Sequence, residues 1–324
     1  MTGINVACIG ELLIDMYCID VDVSLKDGDN FKKMAGGAPA NVSATIARLG
    51  GKASMIGKVG SDSFGDFLVE TLKDYQVDTS MVVRDKSLPT TMALVSLVTG
   101  GERDFQFYRG ADKNLRMTDF SLTDVMESKV IHFGSATALL EAPLRETYFS
   151  LIKRAYNEKK FISFDPNFRE DLWKGNENEF IELSREILAY TDFVKVSDEE
   201  LVILTNEDEV SNGIAKLHQF GAKIVAVTIG EEGSIISNGE KYEVVPSKSI
   251  EAIDTTGAGD AFVGAVLYQF SNRLNEEKAI SVSDFNYLKE VTRFANYLSS
   301  EVCTKVGSLT ALASIEEVLI LKMP

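Results

Sequence analysis

Apolar and polar positions along the chain follow two rhythms. Short continuous apolar runs recur at Ile4–Ile9, Ala53–Val59, Val130–Gly134, Phe161–Asp165, Phe193–Val196 and Ile224–Ile229. Several do not alternate, which is the pattern of strands covered on both faces. Between them lie segments with helical spacing. Val42, Ile46 and Leu49 form one stripe, ended by Gly50-Gly51. Phe64, Phe67, Leu68 and Leu72 form a second, and Leu144, Phe149, Ile152 and Tyr156 a third. This alternation predicts an α/β fold with a mostly parallel sheet and helices on both faces.

Two stretches break the rhythm. Residues 15–34 and 90–110 read as strands with no helix between them. Thr99-Gly100-Gly101-Glu102 has the composition of a hairpin turn between Thr90–Val98 and Arg103–Arg109. Both stretches leave and rejoin the sheet near its first strands. We therefore expect a small β-sheet lid, built from about 12–34 and 88–112, over the ligand face. Such a lid can shut water out from a bound ligand. No repeat, low-complexity tract or Pro-rich linker interrupts the 324 residues, so one domain over 1–324 is expected to carry it.

Composition narrows the partners. Hydrophobic residues make up 45% of the chain, enough for a large core, yet no run of 18 or more apolar residues predicts a membrane helix. The start, MTGINVACIGELL, lacks the basic region of a signal peptide. A net charge of -16 disfavours nucleic acid and anionic membranes. An anionic ligand would then need positive potential made locally, from backbone amides, a metal ion and a few arginines. Cys8, Cys18 and Cys303 are too scattered for a disulfide framework or a zinc site and fit a reducing cytoplasm. His132 and His218 are the only histidines, so a histidine-based mechanism is not expected and both are read as structural.

The strongest chemical signal is Asp254-Thr255-Thr256-Gly257-Ala258-Gly259-Asp260-Ala261-Phe262, followed by an apolar helix. Small residues before a helix expose unpaired amides, and the helix dipole adds about half a positive charge there. Gly257, Ala258 and Gly259 thus predict an anion hole, and Asp260 at its mouth can take a proton from an attacking hydroxyl. No G-x-x-x-x-G-K-[ST] loop occurs.

This segment resembles the C-terminal signature of the ribokinase-like, or phosphofructokinase-B type, sugar kinases. Gly36-Gly37-Ala38-Pro39-Ala40-Asn41-Val42, running on to Gly57-Lys58-Val59-Gly60-Ser61-Asp62-Ser63-Phe64-Gly65, resembles their N-terminal signature. The resemblance covers essentially the whole chain and implies a three-layer sandwich with a small β-sheet lid, ATP as co-substrate and magnesium. It also implies roles for particular residues. Gly36-Gly37 would be a hinge for lid closure, Asn41 would contact the sugar, and Asp15 would accept its hydroxyls. Thr228, Gly230 and Gly233 match a T-x-G-x-x-G loop that lines nucleotide phosphates and ribose. Glu200 ends the N-x-x-E motif that positions magnesium through water, although Ser197 stands where asparagine is usual. Lys195 would face the nucleotide, and Asn296, on a helix expected over Asp284–Ser299, would approach the adenine. Asp254, Thr256 and Ser308 resemble part of a site for a monovalent cation such as potassium, with Gly307-Ser308 where the family usually has Gly-Ala. Some relatives form homodimers through the lid sheet, whose edges suit pairing.

Three local patterns resemble the bacterial fructokinases: Gly36–Asn41, Phe105–Asp112 and Phe164–Trp173. They put Phe107, Arg109 and Arg169 at the substrate. The 2-keto-3-deoxygluconate kinases share much of this pattern, and there Arg109 and Arg169 would hold a carboxylate. A sugar-sensing module without catalysis is a third reading, against which the intact Asp260 and Gly257-Ala258-Gly259 argue.

Overall fold

The computed structural model describes residues 5–20, 22–97 and 103–312. In chain order these form β1 (Val6–Ile9), β2 (Leu13–Cys18), β3 (Phe31–Gly36), α1 (Ala38–Arg48), β4 (Ala53–Gly60), α2 (Ser63–Asp74), β5 (Val82–Asp85), β6 (Met92–Leu97) and β7 (Arg103–Tyr108). There follow α3 (Leu122–Glu127), β8 (Val130–Phe133), α4 (Leu144–Asn157), β9 (Phe161–Phe164), α5 (Glu170–Trp173), α6 (Glu177–Leu188), β10 (Phe193–Ser197), α7 (Asp198–Thr205), α8 (Val210–Gln219) and β11 (Ile224–Thr228). The last elements are β12 (Gly233–Ser237), β13 (Tyr242–Pro246), α9 (Ala258–Asn275) and α10 (Phe285–Cys303).

A nine-stranded sheet runs in the order β13-β12-β11-β10-β9-β8-β1-β4-β5. Strands from β11 to β5 are parallel, and β12 and β13 add antiparallel edges. Central β1 shows why its sequence lacks alternation. Val6 and Cys8 enter one core, with α1, α9 and α10, while Ala7 and Ile9 enter the other, with α4, α6 and α8. Both faces are apolar because both are covered. The layers are helix, sheet, helix.

A second sheet of four strands runs in the order β3-β2-β6-β7, with β2 and β6 parallel and the outer pairs antiparallel. It comes from the two stretches expected to form the lid; the predicted turn at 99–102 lies outside the described residues. The helix stripes hold with one change of phase. α4 buries Leu144, Tyr148, Leu151, Ile152 and Ala155, while Tyr156 is exposed and packs its ring against Tyr190. Among the described residues no helix is long and apolar enough to cross a membrane.

Candidate active site

The two sheets enclose a cleft of about 460 Å³, in the size range of small-molecule sites. One wall belongs to the small sheet: Asp15 and Tyr17 on β2, Phe105 and Phe107 on β7. Alternation on β7 turns both phenylalanines inward, where their rings stack at 5.9 Å. The other wall carries Asn41 on α1, Lys195 at the end of β10, and Thr255 to Asp260 at the start of α9. These groups sit beyond the carboxyl ends of parallel strands, where ligands bind in such sheets.

A second pocket of about 500 Å³ opens between the β11–β12 turn and α10. Gly230, Gly233 and Asn296 line it, and Thr228, Thr255 and Gly259 belong to both cavities. The pockets therefore meet at the N-terminus of α9. Its cap is Gly257, in the left-handed conformation at φ 79° and with no side chain to close the helix end. A Cβ on Gly257 would lie 2.5 Å from Ser308 Cβ, so only glycine fits. Asp260 stands at the third helical position, one turn inside. Asn41 Nδ2 donates to its Oδ2 at 2.8 Å, and Ser308 Oγ donates to Asn41 Oδ1 at 3.2 Å.

Charges in the cleft are unevenly balanced. Enclosure from water pushes Asp260 up to about 7, with Asp165 adding to the rise and Asn41, Arg169 and Lys195 opposing it. Enclosure likewise pushes Asp15 up to about 7, with Arg169 opposing and Glu11 and Asp260 adding. Burial disfavours the Lys195 ammonium, yet Asp165, Glu200 and Asp260 hold its pKa above the ordinary lysine value. Lys195 Nζ pairs with Asp165 Oδ2 at 3.2 Å, and a Cβ on Gly259 would lie 3.2 Å from that nitrogen. The cation is thus held at the helix N-terminus, the local positive potential that an acidic protein needs for an anion. A carboxylate near pH 7 beside it is suited to general-base work.

Several expected residues carry partners that the sequence does not show. Arg109 does not face the cleft: its guanidinium pairs with Asp112 Oδ2 at 2.7 Å and Glu141 Oε1 at 3.3 Å. Gly36 and Gly37 are required by close approach. A Cβ on Gly36 would lie 2.7 Å from Asp15 Cγ, and one on Gly37, at φ 106°, would lie 3.0 Å from the Glu11 carbonyl carbon. Ser197 is spent as the cap of α7, accepting from Glu200 N at 3.0 Å. Glu200 accepts Ser197 N and Phe168 N at 2.8 Å each, one per oxygen, and stays on the cleft wall. Asn296 is 4% exposed, not on a solvated helix face; it takes Ser234 Oγ and gives to Val245 O, so it shapes the pocket floor. Asp254 Oδ1 accepts from Thr256 N and Oγ1, and its Oδ2 from Gly307 N, but Ser308 turns away to Asn41. Among the described residues no group of three or more acidic, histidine or cysteine side chains is arranged to hold a metal ion. Arg169 is exposed at the cleft rim. His132 and His218 hydrogen-bond Ser163 and the Ala222 and Ser237 oxygens, in structural positions.

Two site acids escape motif reasoning. Glu11 is 1% exposed yet reaches the cleft, and Asp165 anchors both Lys195 and the Asn167 turn. Each follows a buried apolar strand, and that abrupt acid is the signal for them.

A two-chambered cleft meeting at an open helix N-terminus, with a raised carboxylate between, is the site of a phosphoryl-transfer enzyme. The chain belongs to the pfkB family of carbohydrate kinases, whose model matches residues 4–314. It is 38% identical over 320 residues to fructokinase-1 of Oryza sativa subsp. japonica, covering 97% of this chain and 96% of the relative. An uncharacterized sugar kinase from Pyrococcus horikoshii, solved in complex with ATP, is 36% identical with a TM-score of 0.85, and 98% of each chain is covered. The fructokinase of Vibrio cholerae O395, solved with fructose, ADP and calcium ion, is 31% identical with a TM-score of 0.85, again over 98% of each chain.

Proposed function

We propose that this carbohydrate kinase transfers the γ-phosphate of ATP to a primary hydroxyl of D-fructose. The observation that carries the reading is the meeting of the two pockets at the N-terminus of α9, through Thr228, Thr255 and Gly259, with Asp260 beside it in the first. Sugar occupies the chamber under the small sheet, and nucleotide the chamber beside α10. Asp260 takes the hydroxyl proton while the oxygen attacks the γ-phosphorus and the bond to ADP breaks. The first-turn amides of α9 and Lys195 face the charge that develops on the transferring group.

Charge favours a neutral sugar over a sugar acid. Glu11, Asp15 and Asp260 line the chamber, and Arg109, one of two arginines that could hold a carboxylate, is withdrawn by Asp112 and Glu141. Lys195 is held by Asp165, which leaves Arg169 at the rim as the cation open to a substrate carboxylate. The names of the fructokinase relatives point the same way. The decisive assay is kcat/KM for D-fructose and for 2-keto-3-deoxygluconate at saturating ATP. Fructose should win; a tenfold advantage for the keto-acid, about 1.4 kcal/mol of transition-state discrimination, would overturn the substrate assignment.

Magnesium would ride on the ATP phosphates and be reached through water by Glu200, whose oxygens each keep a lone pair beyond their amide bond. A potassium ion beside the anion hole would draw on Asp254 and Thr256. Three free cysteines support a reducing, cytoplasmic setting. A homodimer through the small sheet is the assembly its edge strands favour, and light scattering on the purified protein tests it.

A further inference from the structure

Helix α1 carries Asn41, the residue that holds Asp260, yet the helix cannot cap itself. Its N-cap is Gly37, with no side-chain hydrogen bond, and a larger residue there would collide with the Glu11 backbone. The cap comes from a residue 27 positions away: Glu11 Oε1 accepts the first helical amide, Ala38 N, at 3.2 Å. The same oxygen accepts Ala136 N at 3.4 Å, and Oε2 accepts the Ser135 hydroxyl. Ser135 Oγ itself accepts Thr137 N and Ala138 N, which leaves its hydrogen for Glu11. Burial pushes the Glu11 pKa up, and the hydrogens that Ser135 and Ala38 bring to its oxygens oppose that rise. Glu11 ties the β1–β2 connection, the start of α1 and the loop after β8 into one unit at the root of the small sheet.

We propose that Glu11 is a positioning residue for phosphoryl transfer: by capping α1 it aims the Asn41 amide at the Asp260 carboxylate. The inference rests on Asp260 being the base. Around Asp260 stand Asp165, Arg169, Lys195 and Asp15, and Glu11 faces Asp112, Asp15 and Tyr148. Glu11 itself raises Asp15, which faces Asp260, so Glu11→Gln, which removes that charge but keeps the acceptor for Ala38, separates the charge effect from the Asn41–Asp260 contact.

The test compares Glu11→Ala, Glu11→Gln, Asn41→Ala and the double variant Glu11→Ala/Asn41→Ala, measuring kcat, KM for both substrates and the acid limb of kcat. Misplacement by an ångström can cost about a hundredfold, so Glu11→Ala should lose about ten- to a hundredfold in kcat with KM for ATP unchanged. Its acid limb should move toward higher pH, as in Asn41→Ala, by up to about one unit, because the lost hydrogen bond favoured the ionised base. Glu11→Gln keeps the acceptor for Ala38 and should recover most of kcat. The double variant should be little worse than Asn41→Ala, since the two act in series. Additive losses, or a slow Glu11→Ala with an unmoved acid limb, would refute the proposal. If Glu11→Ala does not fold, Glu11→Asp, one methylene short of Ala38, must show the same shift or the proposal fails. Normal turnover in Asp260→Asn would remove the base assignment and this inference together. A dead Asp260→Asn with unmoved limbs in the Glu11 variants would remove this inference alone.

Discussion

Gly36→Ala separates folding from function in a single methyl group. Gly36 is a β3 residue paired with Leu13, and its backbone is that of an ordinary strand. Alanine therefore meets no conformational penalty, and the lost freedom of the unfolded chain favours it by about 0.4–1 kcal/mol. The added carbon, however, lies 2.7 Å from Asp15 Cγ and closer still to Oδ2. Carbon contacts settle at about 3.5–4.0 Å, so the carboxylate must retreat by about 1 Å. A hydrogen bond does not survive much stretching, and a bond to a charged acceptor is worth about 1.5–3 kcal/mol. If Asp15 accepts a fructose hydroxyl, kcat/KM for fructose should fall about ten- to a hundredfold. KM for ATP should stay unchanged, because Asp15 lies in the sugar chamber and not in the nucleotide pocket. Initial rates from coupled ADP release, with fructose varied at saturating ATP, give the number, and a thermal melt gives the stability. A variant with fructose kinetics within twofold of the parent and an unchanged melting temperature would refute the placement of Asp15 at the sugar.

Asp260→Asn keeps the shape but not the proton acceptor, so turnover should fall by about 10²–10⁴ while fructose still binds by calorimetry; more than half the normal rate excludes Asp260 as base. Activity should vanish with EDTA and return with magnesium, and it should rise with potassium. Equal rates with potassium and with a tetramethylammonium salt at matched ionic strength would leave Asp254 and Thr256 without a cation. Asp15 has a folded pKa of about 7 against an ordinary 3.8, so folding takes up a proton between those values and the group costs stability as pH rises through them. Asp15→Asn should therefore melt higher than the parent at pH 8 and lose that advantage near pH 4. An advantage that grows on acidification would contradict the raised pKa.

Much of the fold was readable because burial on both faces writes itself as unbroken apolar runs. Each strand expected from such a run appears, within two residues at either end. The strands β12 and β13 left no such trace. β12 is buried but only five residues long between β11 and β13, and on the edge strand β13, which pairs with β12 alone, Tyr242 and Glu243 are exposed. The phase error on α4 has a similar cause: Phe149 and Tyr156 look like core residues, yet tyrosine and phenylalanine at the margin of a helix can cover their rings on a neighbour. At the site, Asp260, Asn41, Asp15 and Thr228 were legible because glycines and turns around them mark fixed backbone. Arg109 was not, since its partner Asp112 comes within reach only through a short 3₁₀ turn at Ala111–Asn114. Glu11 falls between the expected strand Ile4–Ile9 and the stretch from residue 15, and its partners Ala38 and Ser135 lie far along the chain.

The contact between Asn41 and Asp260 joins residues 219 positions apart. Most residues proposed to hold the sugar, Asp15, Asn41 and Phe107 among them, are translated within the first third of the polypeptide, while the proposed base Asp260 and the amides beside it emerge in the last quarter. The two portions must therefore change together where they meet, at Asn41 with Asp260 and Ser308, at Tyr75 with the Leu309 carbonyl, and at Gly264, where a Cβ would lie 2.5 Å from Thr45 Cβ.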